Sequence, residues 1–376
     1  MGHQVTLVYL GKSWMAYDDR KTDLDGVRYF RLTEDDRSKL VLVPDLRSSF
    51  LLKDFVGVTR QVAMSFPHFL DHYDVIHVEF LFTANLVISA MALKFLQDAP
   101  HVIDFVDLTR QLTGGHFRKS HRLYNLLYTI RYLPTWSTVC SDYLRSYLIK
   151  RGYPERMIYT VPMGADVTKI RYVDKGDSRR KLKLSEARYL MGYELGTGRQ
   201  DTYIDTILLS LQEVLKHMRG VDVVFIGDCA GSSNEARRRC LASGLEPHTI
   251  CTGPLGTEDL SDWLAACDIL LLPLDDTPYD HARFPGRLGD YLAAGRPILG
   301  AAVGDLKSVV QRGCGLLFKP GNHFDLASKM LTLLQDERSM HEKGKKARYL
   351  AENDYSWRNI AVALESIYRK TMDARS

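Results

Sequence analysis

The sequence lacks the cysteine and histidine patterns that hold zinc or a disulfide framework. Its six cysteines include no C-x-x-C pair, and the spacing of its 12 histidines suits no zinc site. No apolar run is long enough to cross a bilayer, and the N-terminus has no charged-then-apolar signal segment. We therefore expect a cytoplasmic protein with reduced thiols and no bound metal.

The sequence also lacks a large excess of charge of either sign. A net charge of +4 over 376 residues is mild, so we expect no nucleic-acid partner. No G-x-G-x-x-G follows a strand with an acid about twenty residues later, which argues against a dehydrogenase. The length and the 45% of hydrophobic residues predict two globular domains.

Short apolar runs alternate with helical patterns along the chain, which predicts an α/β protein with parallel sheets. Ligands of such sheets bind beyond the carboxyl ends of the strands, which places residues 11–14, 79–83 and 104–116 at a functional edge. The predicted strands are residues 5–10, 40–43, 74–80, 101–107, 137–140, 157–161, 187–191, 221–227, 249–251, 268–272 and 315–318.

Residues 167–186 change the character of the chain, because they are polar and strongly basic. We interpret them as the junction between an N-terminal domain, residues 1–170, and a C-terminal domain, residues 187–355. A junction of this composition is expected to be a solvated, charged linker.

A short helix is predicted in residues 283–299. Pro285 suits its first turn, and Gly295 suits the left-handed residue at its end. Arg287 and Asp290 are three residues apart and therefore neighbours on the helix surface. A helix N-terminus with an arginine suits a diphosphate, and a carboxylate one turn later suits ribose hydroxyls. The alternative is a capped surface helix with an Arg–Asp pair.

This helix follows an apolar strand, residues 268–272, and an acidic loop, residues 274–281. The same order of strand, loop and helix occurs in glycosyltransferase family 4. Residues 284–298 resemble the F-P-S-K-L-x-E-Y-L-A-A-G-x-P-V segment of that family. The resemblance implies the GT-B fold, with two Rossmann-like parallel-sheet domains facing across a cleft. It also implies a last helix, residues 356–372, that packs back on the N-terminal domain.

The resemblance places the nucleotide-diphosphate sugar on the C-terminal domain. The family's glycine-rich loop corresponds to residues 192–198, followed by Arg199. Arg199 is either a donor-binding residue or a solvated loop arginine. The family often carries two acids eight residues apart, of which Asp290 matches the second, whereas the first falls on Ala282. The loop around His281 is therefore our candidate for contact with the donor sugar, and the alternative is an exposed loop histidine. The predicted donor-binding residues are Gly192, Arg199, His281, Arg283, Phe284, Pro285, Gly286, Arg287 and Asp290.

The acceptor is expected on the N-terminal domain. The predicted acceptor-side residues are Gly11, Lys12, Asp104, Asp107 and His116, although a lone aspartate such as Asp107 also suits a helix cap. Residues 117–136 are basic, aromatic and free of acids. Such a segment suits an anionic membrane surface at the inner face of the membrane, or a helix packed on the sheet with a solvated rim.

These patterns predict a glycosyltransferase that moves a sugar from a nucleotide-diphosphate sugar to a hydroxyl of a glycan, a lipid-linked sugar or a small molecule. Arg287, Arg199 and Asp107 are the predicted catalytic residues, with no metal or cofactor. Retention of anomeric configuration is implied by the resemblance alone. A sugar-nucleotide epimerase of similar fold and a non-catalytic GT-B partner subunit remain open alternatives.

Overall fold

The computed structural model describes residues 6–10, 28–31, 39–43, 73–79, 99–106, 136–196, 201–228 and 231–374. The chain divides into two compact units. One comprises residues 1–104 and 371–376, and the other comprises residues 105–370. The predicted domain limits, residues 1–170 and 187–355, stay a prediction.

The first unit contains short strands that the apolar runs predicted. Strand β1 pairs in parallel with β3, β2 pairs with β3 in the antiparallel sense, and β4 pairs in parallel with β5. β2 was not predicted. The strands are β1 (Thr6–Leu10), β2 (Arg28–Arg31), β3 (Lys39–Val43), β4 (Ile76–Glu79) and β5 (His101–Phe105), of which Phe105 belongs to the second unit.

The second unit is built on a six-stranded, wholly parallel sheet. Its order is β10-β9-β8-β11-β12-β13, so the chain winds outward to one edge from β8 and to the other from β11. The carboxyl ends of β8 and β11 therefore meet at the switch point, where such sheets bind ligands. The strands of this sheet are β8 (Tyr189–Glu194), β9 (Val221–Ile226), β10 (Thr249–Cys251), β11 (Ile269–Leu272), β12 (Ile298–Ala301) and β13 (Gly315–Phe318). Outside this sheet, β6 (Trp136–Val139) and β7 (Ile158–Thr160) pair in parallel with each other.

Helices connect these strands and cover the sheet. In the described part of the chain, none is long and apolar enough to cross a membrane. The helices are α1 (Asp142–Lys150), α2 (Lys175–Lys181), α3 (Asp201–His217), α4 (Ser232–Ala242), α5 (Thr257–Ala266), α6 (Pro278–Ala282), α7 (Gly286–Ala294), α8 (Gly304–Val309), α9 (His323–Leu334), α10 (Glu337–Asn353) and α11 (Trp357–Asp373).

The predicted solvated linker is wrong for α2. The Arg179 side chain is 3% exposed, and its Nη2 lies 2.6 Å from Asp268 Oδ2. Lys175 Nζ lies 2.7 Å from Asp268 Oδ1, and Leu190 N donates to Asp268 Oδ2 at 2.7 Å. Because a buried charge is tolerated only when it is paired, Asp268, just before β11, holds the Arg179 side chain of this basic helix in the core.

Helix α7 lies against a segment that follows β7, with backbone touching backbone. A Cβ atom added at Gly289 would meet Gly164 O at 2.6 Å. A Cβ added at Gly164 would meet the Trp357 ring at 2.5 Å. The same segment is hydrogen-bonded to the start of α11, because Trp357 N donates to Ala165 O at 3.2 Å. Two glycines thus let three parts of the second unit pack closely.

Gly289→Ala is expected to lower the free energy of unfolding by about 1–3 kcal/mol, because the new methyl overpacks against a backbone carbonyl that has little room to move. Gly286→Ala is the matched control in the same helix, since nothing lies within 4 Å of a Cβ added there. Urea unfolding of both variants checks this. Equal midpoints for the two variants would contradict the close contact.

Candidate active site

The site is built around the start of α7. Pro285 is the N-cap, with φ −65° and ψ 117°, and it offers no side-chain cap. The helix ends at Gly295, whose φ of 66° is left-handed, so both predicted boundary signals are confirmed. Pro285 supplies no side-chain cap and Leu288 N donates to Pro285 O at 2.9 Å, so the N–H groups of Gly286 and Arg287 are the ones that this turn offers to a ligand.

Arg287 lies in this first turn and is half-buried. Its guanidinium carbon is 5.0 Å from the ring centroid of Tyr193, the fifth residue of β8. Burial alone would lower the pKa of Arg287, but Tyr193, Tyr291 and Glu194 outweigh it, so its pKa is raised. The side chain is therefore a permanent positive charge beside the end of β8.

Asp290, one turn along α7, is half-buried near a second carboxylate. Burial and then the negative charge of Asp166 raise the pKa of Asp290 to about 6, against the effect of Lys169. Asp166 itself accepts from Thr168 Oγ1 at 2.7 Å and from Lys169 N at 3.0 Å. Among the described residues no ion pair joins Arg287 to Asp290, contrary to the alternative reading of this helix, so both side chains remain available.

Glu194, the last residue of β8, is a site residue that the sequence reasoning missed. Its backbone N donates to the Tyr291 hydroxyl at 2.8 Å, which ties it to α7. Its Oε2 is buried, without a hydrogen-bond partner in the described part of the chain. Burial and then the charge of Asp290 raise the pKa of Glu194 to about 7, opposed by Arg287. Its position directly after an apolar strand was the available signal.

The loop before α7 is organised by Asp280, which is 2% exposed. Asp280 accepts from the Tyr203 hydroxyl at 2.8 Å and from Asp275 N at 3.1 Å. Arg283 Nη2 lies 2.7 Å from Asp280 Oδ1, while Arg283 Nε is buried and has no partner among the residues that the structure describes. The Arg283 side chain thus holds the loop with one nitrogen and leaves another unused.

The imidazole of His281 is held at both nitrogens. Gly304 N donates to Nδ1 at 3.2 Å, so the ring proton is on Nε2, which contacts Asp276 Oδ1 at 2.7 Å. The ring also stacks on Tyr143, with centroids 5.7 Å apart. These contacts argue against the alternative of an exposed loop histidine and give the ring a role in supporting the loop. Its place near the donor sugar stays a prediction.

The carbonyl of Ala282, at the position of the missing acid, accepts from Ser141 Oγ at 2.5 Å, which anchors the loop to the N-cap of α1. The loop segment 278–282, predicted as irregular, forms helix α6, with Thr277 as its N-cap. Phe284 and Pro285 are buried, whereas Gly286 is exposed.

The structure places only some of the remaining predicted residues. Gly192 lies within β8, paired with Val224 and Leu270, so the predicted loop begins later, after Glu194. A Cβ added at Gly192 would meet Cys267 Sγ at 2.6 Å, which is a packing reason for this glycine. Asp104 is half-buried in β5. Gly11, Lys12, Asp107, His116, Arg199 and residues 117–135 lie outside the described residues.

Residues 195–336 match the model of the family described as Glycosyl transferases group 1. The chain is also similar to sulfoquinovosyl transferase SQD2 from Arabidopsis thaliana, with 28% identity over 167 residues, 43% of this chain and 31% of that protein. Matches to curated relatives span less than half of the relatives' lengths. The predicted resemblance to glycosyltransferase family 4 is confirmed by the family match.

Two solved structures share the fold at 18% identity. Sucrose-phosphate synthase from Thermosynechococcus elongatus has a TM-score of 0.77 and covers 99% of this chain and 90% of its own. HepE from Anabaena, solved in complex with UDP, has a TM-score of 0.67 and covers 88% and 86%. The chain therefore has the GT-B fold, with two parallel-sheet α/β domains, as predicted.

Asp280→Ala is expected to cost about 3 kcal/mol or more of stability, because it leaves the Arg283 guanidinium without its buried partner. Asp276→Ala is the matched control in the same loop. Its side chain is 75% exposed, so removing its contact with His281 should cost less than about 1 kcal/mol. Urea unfolding at neutral pH compares the two, and a similar loss for both would contradict the assigned role of Asp280.

Proposed function

We propose that the protein is a glycosyltransferase that moves a sugar from a nucleotide-diphosphate sugar to an acceptor hydroxyl. The observation that carries the proposal is the position of Arg287. It lies in an uncapped first helical turn beside the end of β8, at the switch point of a doubly wound sheet. The family match over residues 195–336, which includes this helix, supports the same activity.

The diphosphate of the donor is proposed to bind at the start of α7. Free N–H groups and the helix dipole attract anions there, and Arg287 adds a charge that can form two hydrogen bonds with one phosphate. HepE, which shares this fold, was solved with UDP and with UDP-glucose, which favours a uridine donor. Phe284, Pro285 and Gly286 would line the same turn.

The ribose is proposed to lie one turn further along, at Asp290. With a pKa of about 6, this carboxyl is mostly ionised at neutral pH and can accept from two hydroxyls. The donor sugar would then lie near the loop that Asp280 and His281 hold in place. Arg283 Nε, which is buried without a partner among the described residues, is a hydrogen-bond donor that this loop retains.

In the proposed reaction the acceptor oxygen attacks the anomeric carbon. The bond from that carbon to the diphosphate oxygen breaks, the new glycosidic bond forms, and the hydroxyl proton is released. Negative charge grows on the departing diphosphate, and Arg287 with the helix start would stabilise it without a metal. Arg199 is proposed to help in this, and Asp107 to hold the acceptor; retention of configuration is part of the proposal.

The acceptor side of the proposal rests on the sequence. Gly11, Lys12, Asp104, Asp107 and His116 are its candidate residues. The basic segment 117–136 is proposed to contact an anionic membrane at its inner face, which would suit a lipid-linked acceptor. Binding to vesicles with and without anionic lipid tests this part separately from donor binding.

A thermal-shift screen with the diphosphates of uridine, guanosine, adenosine and thymidine tests the donor site, with and without EDTA. One nucleotide should raise the melting temperature, because a ligand that binds the folded state stabilises it. Arg287→Ala should weaken that binding about 10- to 100-fold, because it removes charge-assisted hydrogen bonds that contribute about 1.5–3 kcal/mol to the binding free energy.

Arg338→Ala, which removes an arginine that is 89% exposed, is the control and should keep the full shift. A shift that disappears with EDTA would overturn the metal-free proposal. The absence of a shift with every nucleotide and with every nucleotide-diphosphate glucose would favour the non-catalytic alternative.

A second assay separates transfer from epimerisation. The protein is incubated with the nucleoside diphosphoglucose whose base gave the thermal shift, with and without candidate acceptors. The nucleoside diphosphate that is released is measured. A transferase releases nucleoside diphosphate, slowly to water or faster to an acceptor. An epimerase leaves the nucleotide–sugar bond intact and changes only the sugar, which would overturn the proposed transfer.

A further inference from the structure

The carboxyl group of Glu194 has one buried and one reachable oxygen. Oε2 is buried without a partner in the described part of the chain, whereas the residue as a whole is half-buried. Because only Oε2 of this carboxyl is both buried and without a partner among the described residues, we assign Oε1 as the oxygen that faces a ligand. An ionised carboxylate with an unpartnered buried oxygen is costly. A neutral carboxyl lowers this cost by turning its uncharged carbonyl oxygen inward and its hydroxyl outward.

The charged and titratable groups around Glu194 come from three elements. Strand β9 presents Ile226 opposite Glu194 and adds no charge there. Burial and the charge of Asp290 raise the pKa of Glu194, and the charge of Arg287 lowers it. The pKa of Glu194 is about 7 as a result. The groups concerned are Tyr193 on β8, Arg287, Asp290 and Tyr291 on α7, and, beyond Asp290, Asp166 and Lys169 after β7.

The position of Glu194 puts this carboxyl beside the proposed diphosphate. It ends β8 at the switch point and is tied to α7 through the Tyr291 hydroxyl. Arg287, the charge expected to bind the diphosphate, is one of the groups that acts on Glu194. An ionised Glu194 would repel a diphosphate there, whereas a neutral one can donate a hydrogen bond to it.

We propose that Glu194 binds the donor as a neutral carboxylic acid, with its Oε1 hydroxyl donating to a diphosphate oxygen. The inference rests on the proposed function, since it needs a nucleotide diphosphate at the start of α7. It also gives a role to an acid within residues 192–198, the segment predicted as the glycine-rich loop. Glu194 is thus a binding residue that responds to pH.

A linkage effect follows from this arrangement. The charge of a bound diphosphate raises the pKa of Glu194 above its value of about 7 in the free protein, so binding takes up a proton. Affinity is then highest between about pH 6 and 7, where Glu194 is mostly protonated and Asp290 mostly ionised. It falls as the pH rises above about 7, by up to about tenfold per pH unit, until the pKa of the complex is reached.

Isothermal titration calorimetry of the full chain measures this uptake. The probes are the diphosphoglucoses of uridine, guanosine, adenosine and thymidine, because a diphosphate esterified at both ends does not itself titrate near neutral pH. Titrations run between about pH 7 and 8.5, above the range in which Asp290 takes up its proton. Buffers of different ionisation enthalpy give the number of protons, expected to be close to one at about pH 8.

Glu194→Gln should bind the same probe with no proton uptake and with an affinity that no longer changes with pH, because the amide donates permanently. Asp305→Asn is the matched control. Burial also raises the pKa of Asp305 to about 6, yet its carboxylate contacts Asp142 N on α1, so proton uptake should persist.

The possible failures differ. If the wild-type protein binds a diphosphoglucose without taking up a proton, the role of Glu194 is wrong and the donor site stands. The same holds if Glu194→Gln still takes up a proton. If no diphosphoglucose binds at any pH, the proposed function fails and this inference fails with it.

Discussion

The approach of Gly289 to the carbonyl of Gly164 is the constraint on which the arrangement of the second unit depends. It brings α7 into backbone contact with the segment after β7, while the opposite side of Gly164 faces the Trp357 ring. Gly289 lies between Arg287 and Asp290 in the helix, so this contact sets the depth of both side chains. Asp166, which acts on Asp290, belongs to the same segment. The electrostatics of the site therefore follow from a steric fit.

The parts of the fold that local chemistry decides could be predicted from the sequence. Pro285 and Gly295 gave the limits of α7 to within a residue, because a fixed φ and a left-handed φ are properties of single residues. The apolar runs gave the strands of the six-stranded sheet except β12. Helix α6 was not predicted, although Thr277 and Asp280 form an N-cap pattern, because an acidic segment with a proline is also typical of a loop.

The parts that depend on distant partners could not be predicted. Arg179 was predicted to be a solvated linker residue, because nothing nearby in the sequence indicates its buried ion pair with Asp268. Glu194 was not among the predicted site residues. Its burial is created by Tyr291 and its neighbours on α7, about a hundred residues later in the chain, where no local pattern points back to it. In both cases tertiary contacts determine the environment and the role of an ionisable side chain.

The pairing of Asp268 with α2 has a consequence for dividing the chain. Asp268 joins Lys175 and Arg179 to the backbone of Leu190, so one face of α2, with Ser178 and Arg179, packs into the core. A fragment that starts at the first strand of this sheet would leave the buried carboxylate of Asp268 without its two cationic partners. A fragment that contains the six-stranded sheet should therefore begin before Asp174, the N-cap of α2, rather than at residue 187, the predicted start of the C-terminal domain.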